Sequence, residues 1–576
     1  MRGIDLVCSV LTLNGTDTVF GVPGTQNIAL FDAIRQAGLR CVTTTNEMSA
    51  AFAVNGYARG SGRCGVLITI PGPGFTYALT GIAEARLDSV PLVWLIGEPV
   101  SHPTRKFQLQ QLEQQAIASP LVKSYLRLTD ANNIEATMKT ALALATSGEP
   151  GPVIVELGSA LSSPMARLSV GDVQPEPVSL ETRDDEEVVT ECIELLRLCK
   201  KPVLLLGQGA QGLRQPIQAL TQQLRACVIT TTSGRGVISE ADERVLRTDL
   251  CSPEVLNELL AQSDLVLGLG VKLSHNGSLG FGLKIPSECF IHVDSSAPVL
   301  DANYQTRLAI NQDVGTFLEC VAGRLDPART SASWSNSELA IWQDRLDTSN
   351  VFADVNPVLP DMKNIGMAEF FTLLRSSLPE GSQLITDSGM HQMLARRHYP
   401  VYEERGLLVP TDFQSMGYAI PGGIGAKVAN PGRPVAVLVG DGGLAINGLE
   451  LLTAVRNRLA LPVIVFVDGH FGLIRHQQVE AFGRTTEIEL QAMNLNEFAK
   501  SIGAAYARAD EGFKGSMRRA LDGQGPTIIE ARLKDSRTMA VHRAKRAAVE
   551  TAYRRLGSKN VGRLKRLVKK IKPGGK

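Results

Sequence analysis

Short apolar runs alternate with amphipathic segments along most of the chain. Pro202-Val-Leu-Leu-Leu206, Val435-Ala-Val-Leu-Val439 and Val463-Ile-Val-Phe-Val467 are continuous apolar runs, the pattern of strands buried on both faces of a parallel sheet. Helical spacing follows such runs, as over Leu449–Leu459. Repeated in this way, the pattern predicts an α/β fold of parallel sheets flanked by helices. Two irregular stretches interrupt it: 166–187 holds the Pro-rich Val173-Gln-Pro-Glu-Pro-Val178 and an acidic run, and 326–364 mixes Ser, Asp and Pro around Trp334 and Trp342. The expected division is three consecutive domains, 1–165, 186–325 and 362–538, followed by a tail over 539–576. Three α/β units of similar size are a coarse repetition, without a short tandem repeat. Met1–Leu13 is fairly apolar but interrupted by Asp5, which predicts a first amphipathic helix rather than a signal peptide.

Composition adds two constraints. With 576 residues, 44% hydrophobic and 20% charged, the chain has material for several ordinary cores. The net charge of +1 hides an asymmetry, because His542–Lys576 carries 13 Lys or Arg against one acid, Glu550. An acidic body argues against nucleic acid as the partner of the core. In the tail, Val561, Leu564, Leu567, Val568 and Ile571 share one side of a helix, so a solvated tail, a lid or docking helix, and contact with an anionic surface all stay open. Nine scattered cysteines without CxxC spacing suggest neither a disulfide framework nor a zinc site, and a cytoplasmic location is expected. No apolar run approaches the roughly 20 residues that span a bilayer.

The third domain carries the candidate chemistry. The run ending at Val439 leads into Gly440-Asp441-Gly442-Gly443, expected to form a turn that glycines tolerate, and the run ending at Val467 leads into Asp468 and Gly469. In a right-handed strand, helix, strand unit the carboxyl ends of both strands lie on one sheet edge. Asp441 and Asp468, 27 residues apart, are therefore expected close together. Two carboxylates beside glycine amides suit a divalent cation, magnesium for choice, holding a diphosphate.

Gly440-Asp441-Gly442 with Asn447 and the strand ending at Asp468 resembles the thiamine diphosphate motif. Thr386-Asp-Ser-Gly-Met-His-Gln392 and Gln414-Ser-Met-Gly-Tyr-Ala-Ile-Pro421 are similar to the diphosphate-side and cofactor-wedge segments of the acetolactate synthase-like branch of that family. Phe20-Gly-Val-Pro-Gly24, Asn46-Glu47 with Asn55-Gly-Tyr-Ala-Arg59, and Gly72-Pro-Gly74 with Asp88-Ser-Val-Pro91 resemble its pyrimidine-binding domain, and the likeness spans about residues 1–538. The resemblance implies a pyrimidine domain and a diphosphate domain around a central Rossmann-like domain. It implies thiamine diphosphate and Mg2+, with Asp441, Asp468 and His470 at the metal. It places Gly389, His391, Gln392, Gly440, Gly442, Gly443, Pro23 and Gly24 at the cofactor and Met416 as the wedge against it. Glu47 takes the catalytic place on the aminopyrimidine, and its apolar setting favours a carboxyl that shares its proton at neutral pH. The substrate implied is a 2-oxo acid such as pyruvate, decarboxylated and joined to a second carbonyl. A non-ligating decarboxylase, a 2-hydroxyacyl lyase and a degenerate regulatory or membrane-docked paralogue are the alternatives. A homodimer or dimer of dimers is implied, with Glu47 and the diphosphate supplied by different subunits.

Several positions depart from the family pattern. Asn46 stands where His is frequent, and Gln477 where biosynthetic members place a tryptophan. Asn276, with Lys272 nearby, stands where they place an acceptor-binding arginine, whereas Phe107 and Gln108 keep the family's pocket loop. Gly207-Gln-Gly-Ala-Gln-Gly212 satisfies a dinucleotide fingerprint, but Cys227–Thr232 lacks the acid expected about 20 residues on, so NAD is not expected. The stretch Arg247-Thr-Asp-Leu-Cys-Ser252 lacks the flavin signature, leaving FAD open but not favoured.

Overall fold

The computed structural model describes residues 2–99, 104–162, 186–325, 334–349 and 357–534. The basic tail and nearly all of the first break lie outside these residues, whereas the second, expected to be irregular, holds a helix, Asn336–Thr348, capped by Ser335 and burying Trp342. Three parallel sheets follow one another along the chain. The first is built from β1 Thr18–Gly21, β2 Arg40–Thr43, β3 Gly65–Thr69, β4 Leu92–Gly97, β5 Ser124–Leu128 and β6 Pro152–Leu157, in the order β2-β1-β3-β4-β6-β5. The central sheet contains β7 Pro202–Leu206, β8 Cys227–Thr230, β9 Leu265–Leu269, β10 Phe290–Asp294 and β11 Leu308–Asn311, in the order β11-β10-β9-β7-β8. A short antiparallel pair, β12 Val358–Leu359 and β13 Ile365–Gly366, introduces the third unit. Its sheet contains β14 Gln383–Thr386, β15 Leu407–Leu408, β16 Val435–Gly440, β17 Leu461–Val467, β18 Ala505–Arg508 and β19 Pro526–Arg532, in the order β15-β14-β16-β17-β19-β18. Counted from its own first strand, that is the order of the first sheet.

The apolar runs become the inner strands. β3, β7 and β9 are buried at every position, whereas the edge strands β2 and β18 are half exposed. The chain's first helix, Gly3–Leu13, buries Ile4, Val7, Cys8, Val10 and Leu11 as its spacing predicted. No helix of the described residues is long and apolar enough to cross a membrane, and all nine cysteines are free.

The first and third units share one core, centred on a crossing of the helices Glu47–Ser61 and Ala419–Ala429. In each unit this helix follows the second strand, so the two are counterparts. Glycines bring the backbones into direct contact: a Cβ on Gly56 would lie 2.0 Å from the Gly422 carbonyl oxygen, and one on Gly425 would lie 1.7 Å from that of Ala53. Tyr418 closes the contact by donating its hydroxyl to Asn55 at 3.0 Å.

Candidate active site

Register brings the two acids of the third sheet together. Gly440 on β16 pairs with Phe466 on β17, so Asp441 and Asp468 stand side by side just past the strand ends. The Asp441 carboxylate accepts the Gly442 N–H at 3.0 Å and the Gly469 N–H at 2.8 Å, spanning both strand ends. Asp468 accepts the His470 N–H at 3.2 Å. Burial pushes the Asp441 carboxyl up, and burial together with the charge of Asp441 pushes Asp468 up to about 6. Two acids that disfavour each other's ionisation in this way are stabilised by a divalent cation between them.

A cavity of about 120 Å³ opens at these acids. It lies between β14 and β16, where the chain leaves β14 to form β15 on one side and returns to form β16 on the other. Ligands of open α/β sheets bind at such reversals. Gly389 and His391 line one wall, and Gly440, Gly442 and Gly443 another, with Met416, Asp441, Asp468 and His470 completing the predicted set that it gathers. Gly389 caps the helix Met390–His398 at φ 141°, a conformation that excludes a side chain. Burial pulls the His391 imidazole down to about 4, so the ring is neutral at pH 7. The ring hydrogen-bonds the Asp387 main chain, and its Nε2 is buried without a partner.

Three local expectations are corrected. The glycines after β16 do not form a turn, because φ at Gly440 is −83° and helix Asp441–Asn447 begins at once. They are small for reasons of approach: a Cβ on Gly443 would meet Asp387 Oδ2 at 2.3 Å, and one on Gly440 would meet His391 Nδ1 at 3.1 Å. The helix expected over Leu449–Leu459 is confined to Leu451–Arg456, after a tight turn at Gly448–Glu450. Gln392 does not line the cavity. Consecutive helical residues point about 100° apart, and its amide donates to the Pro410 carbonyl at 2.6 Å instead.

Other predicted residues lie elsewhere. Among the described residues no three His, Cys, Asp or Glu side chains form a metal cluster, although His470 lines the cavity with the acid pair. Gln477 is exposed on the helix Gly472–Phe482. Glu47 opens helix Glu47–Ser61 just after β2, where the Asn46 side chain caps it by accepting the Ser49 N–H at 2.8 Å. Its carboxylate is buried against Gly74, with Oε1 2.9 Å from where a Cβ would stand. Pro23 and Gly24 follow β1, and the Phe107 side chain is fully exposed beside Gln108, which donates to the Arg105 carbonyl. None of these five residues lines the 120 Å³ cavity. One chain therefore presents two separate edges, one with Glu47 and one with the acid pair.

Sequence reasoning passed over Asp387, which lies inside a quoted segment. It is fully buried and accepts the N–H groups of Ser388, Gly417 and Tyr418 at 2.8, 2.9 and 3.3 Å; burial pushes its carboxyl up to about 7. Asn447 has a similar supporting role, donating to the Gly417 carbonyl at 2.8 Å and accepting the Ser49 hydroxyl at 3.4 Å.

In the central unit the fingerprint glycines meet protein. The N–H of Gly207 bonds Leu269 O at 3.0 Å, that of Gly209 bonds Gly270 O at 3.1 Å, and a Cβ on Gly207 would fall 2.0 Å from Gly270 O. A cavity of about 330 Å³ lies where the three units meet; its lining holds five carboxylates and three cations, of which Arg59 pairs with Asp88 and Lys272 with Glu149. Asn276 is engaged as well, donating to Thr411 O at 2.7 Å and accepting from Arg396 at 3.3 Å. Neither Lys272 nor Asn276 stands ready for an acceptor carboxylate.

Comparison with known proteins agrees with this layout. Three domain families of thiamine pyrophosphate enzymes match in chain order: the N-terminal TPP binding domain over residues 1–117, the central domain over 189–321 and the C-terminal TPP binding domain over 387–531. The chain is 25% identical over 537 residues to an acetolactate synthase of Bacillus subtilis (strain 168), covering 92% of each chain. It is 27% identical over 533 residues to an acetolactate synthase large subunit of Haemophilus influenzae, covering 89% of this chain and 91% of that one. To the isozyme 1 large subunit of Escherichia coli (strain K12) it is 26% identical over 545 residues, covering 92% and 94%.

Proposed function

The chain belongs to the thiamine diphosphate-dependent enzymes, and we propose that, like the acetolactate synthases it resembles, it decarboxylates a 2-oxo acid of the pyruvate class and joins the remaining acyl unit to a second carbonyl compound. The observation that carries this reading is the cavity between β14 and β16. It joins a mutually repelling acid pair to a buried, unpartnered imidazole nitrogen, a donor set matched to a magnesium ion and the diphosphate it holds.

When bound, thiamine diphosphate supplies a carbon nucleophile that adds to the substrate carbonyl and accepts the electron pair left when carbon dioxide departs. Asp441 and Asp468 hold the magnesium through carboxylate oxygens. His391 would face the diphosphate from the cavity wall, and the glycines at 389, 440, 442 and 443 would leave room for its oxygens. Met416, on the cavity wall, would pack against the cofactor. Glu47, buried beside Gly74, would hydrogen-bond the aminopyrimidine ring nitrogen.

The Glu47 edge and the acid pair do not share a cavity within one chain, so the proposed active unit is a homodimer in which each edge meets the partner's complementary one. Exposed Ile446, Leu449 and Leu452, on successive turns beside the site, supply apolar surface for that contact. Carboxylates outnumber cations in the cavity where the three units meet, which gives a flavin's diphosphate no basic cradle, and the proposed reaction is written without one. Nine unpaired thiols suit a reducing cytosol.

Turnover of the purified protein on pyruvate with magnesium and thiamine diphosphate, without flavin, tests the proposal. Carbon dioxide with acetolactate or acetoin is the expected result. Carbon dioxide with acetaldehyde alone would replace ligation by simple decarboxylation, and tight cofactor binding without turnover would move the search to larger 2-oxo acids and acyl-CoA donors.

A further inference from the structure

The segment from Val409 to Gly417 runs from β15 towards helix Ala419–Ala429 and carries Met416 into the cavity. All three units hold this segment. The central unit contributes Asn276, on the Thr411 carbonyl, and Ser274, whose hydroxyl donates to Asp412 at 2.8 Å. The third unit contributes Gln392, on the Pro410 carbonyl, and Asp387, on the Gly417 N–H.

The first unit's contribution is of another kind. Helix Pro73–Leu87 carries Glu84 in its last turn and is capped at its C-terminus by Asp88, both fully or nearly fully buried. Asp88 Oδ1 accepts the Thr411 hydroxyl at 2.5 Å and the Asp412 N–H at 3.0 Å. Its Oδ2 accepts the Thr411 N–H at 3.0 Å and Arg59 at 3.2 Å, and Arg59 also donates to the Val409 carbonyl at 2.7 Å. Glu84 Oε2 accepts the Ser415 N–H at 2.9 Å. Burial and the neighbouring Asp88 charge push the Glu84 carboxyl well above the usual carboxylate range. Burying two acids is costly; hydrogen bonds offset that cost for Asp88, whereas Glu84 Oε1 is left buried without a partner. Here those bonds end mostly on the main chain of 411–415, immediately before a methionine whose methyl lies 3.3 Å from a Cβ position on Gly442.

We propose that Glu84 and Asp88 are positioning residues through which the first unit sets how deeply Met416 stands in the cofactor cavity of the third unit of the same chain. The inference rests on the reading of that cavity as the thiamine diphosphate site.

The test uses the full-length protein loaded with magnesium and thiamine diphosphate. Exchange of the thiazolium C2 proton for deuterium is measured per bound cofactor, together with cofactor affinity and the amide exchange of the 410–418 peptide. Asp88→Asn turns an amide towards N–H donors, and Glu84→Leu removes the acceptor for Ser415, whereas Glu84→Gln keeps it. The expected result is C2 exchange slowed at least about tenfold in Asp88→Asn and less in Glu84→Leu, affinity within about threefold, and the parent rate largely restored in Glu84→Gln, the scale at which small displacements act on preorganised sites. Amides 411–415 lose protection in the same order. Equal C2 exchange rates in the parent, Asp88→Asn and Glu84→Leu overturn the inference alone, as does a loss that tracks cofactor affinity or the folded fraction. If Asp88→Asn fails to fold, the Glu84 pair decides by the same criteria. A parent that takes up no thiamine diphosphate overturns the reading of the cavity and this inference with it.

Discussion

The first and third sheets repeat one strand order, yet their carboxyl edges carry different chemistry. After its third strand the first unit has Pro71-Gly72-Pro73-Gly74, and the third unit has Gly440-Asp441-Gly442-Gly443. After the fourth strand stand Glu98 and Asp468 respectively. The second strand leads to Glu47 in one unit and, through the Met416 segment, to helix Ala419–Ala429 in the other. The same scaffold thus offers a buried carboxyl on one edge and a close acid pair lining a cavity on the other. What differs is the residue placed at each strand end, and function on a shared fold is decided there.

Five experiments break or sharpen this contrast. Asp441→Ala removes one member of the acid pair and is expected to weaken magnesium-dependent binding of thiamine diphosphate by about 100-fold or more, beyond the loss typical of outer-shell changes around a metal. Titration calorimetry reads it, and unchanged affinity would strip the third edge of its metal role. Glu47→Gln should act oppositely, keeping cofactor affinity but lowering turnover by roughly 10²–10⁴-fold, the range of a lost acid–base group. Near-normal turnover would remove the contrast between the edges.

The pH dependence follows from Asp468. Below about pH 6 this carboxyl holds a proton in the metal-free protein, and the cation must displace it. Apparent magnesium affinity should therefore fall as pH drops from 7 to 5, approaching about tenfold per unit. In metal-free protein the sign for stability is the reverse. The folded pKa lies above the unfolded value of about 3.9, so the contribution of this group is present at low pH and is lost as pH rises through the folded value of about 6. Saturating magnesium should abolish that loss, as thermal midpoints would show.

Gly425→Ala at the helix crossing should cost about 1–3 kcal/mol, since its Cβ would fall on the Ala53 carbonyl. A lower unfolding midpoint checks it. Phe107→Ala stands last: its ring is exposed, so stability should move by less than about 0.5 kcal/mol, while the KM for the acceptor changes if this loop reaches the partner's site.

The strands and both edge acids were legible because buried parallel strands leave continuous apolar runs and the acids follow them directly. Asp441, Asp468, His391 and Met416 came from short segments whose residues do gather in one cavity. Gln392 misled, because a one-dimensional segment does not say which face of its helix each residue takes. Asp387, Glu84 and Asp88 passed unread as support because their partners are backbone N–H groups distant in sequence. A faint signal existed in Glu84 and Asp88, acids one turn apart at the end of an otherwise apolar helix. Counterpart strand orders were invisible, since edge strands such as β15 are only two residues long.

Where the Glu47–Ser61 and Ala419–Ala429 helices cross, main chain rests on main chain. Side-chain volume elsewhere in the two units can drift without changing the angle at which they meet, because that angle is referenced to carbonyl oxygens rather than to methyl groups. Such a joint works as a standardised fitting. First and third units recombined from distant relatives should dock correctly as long as Gly56, Gly422 and Gly425 keep their places, whatever has happened to the cores on either side.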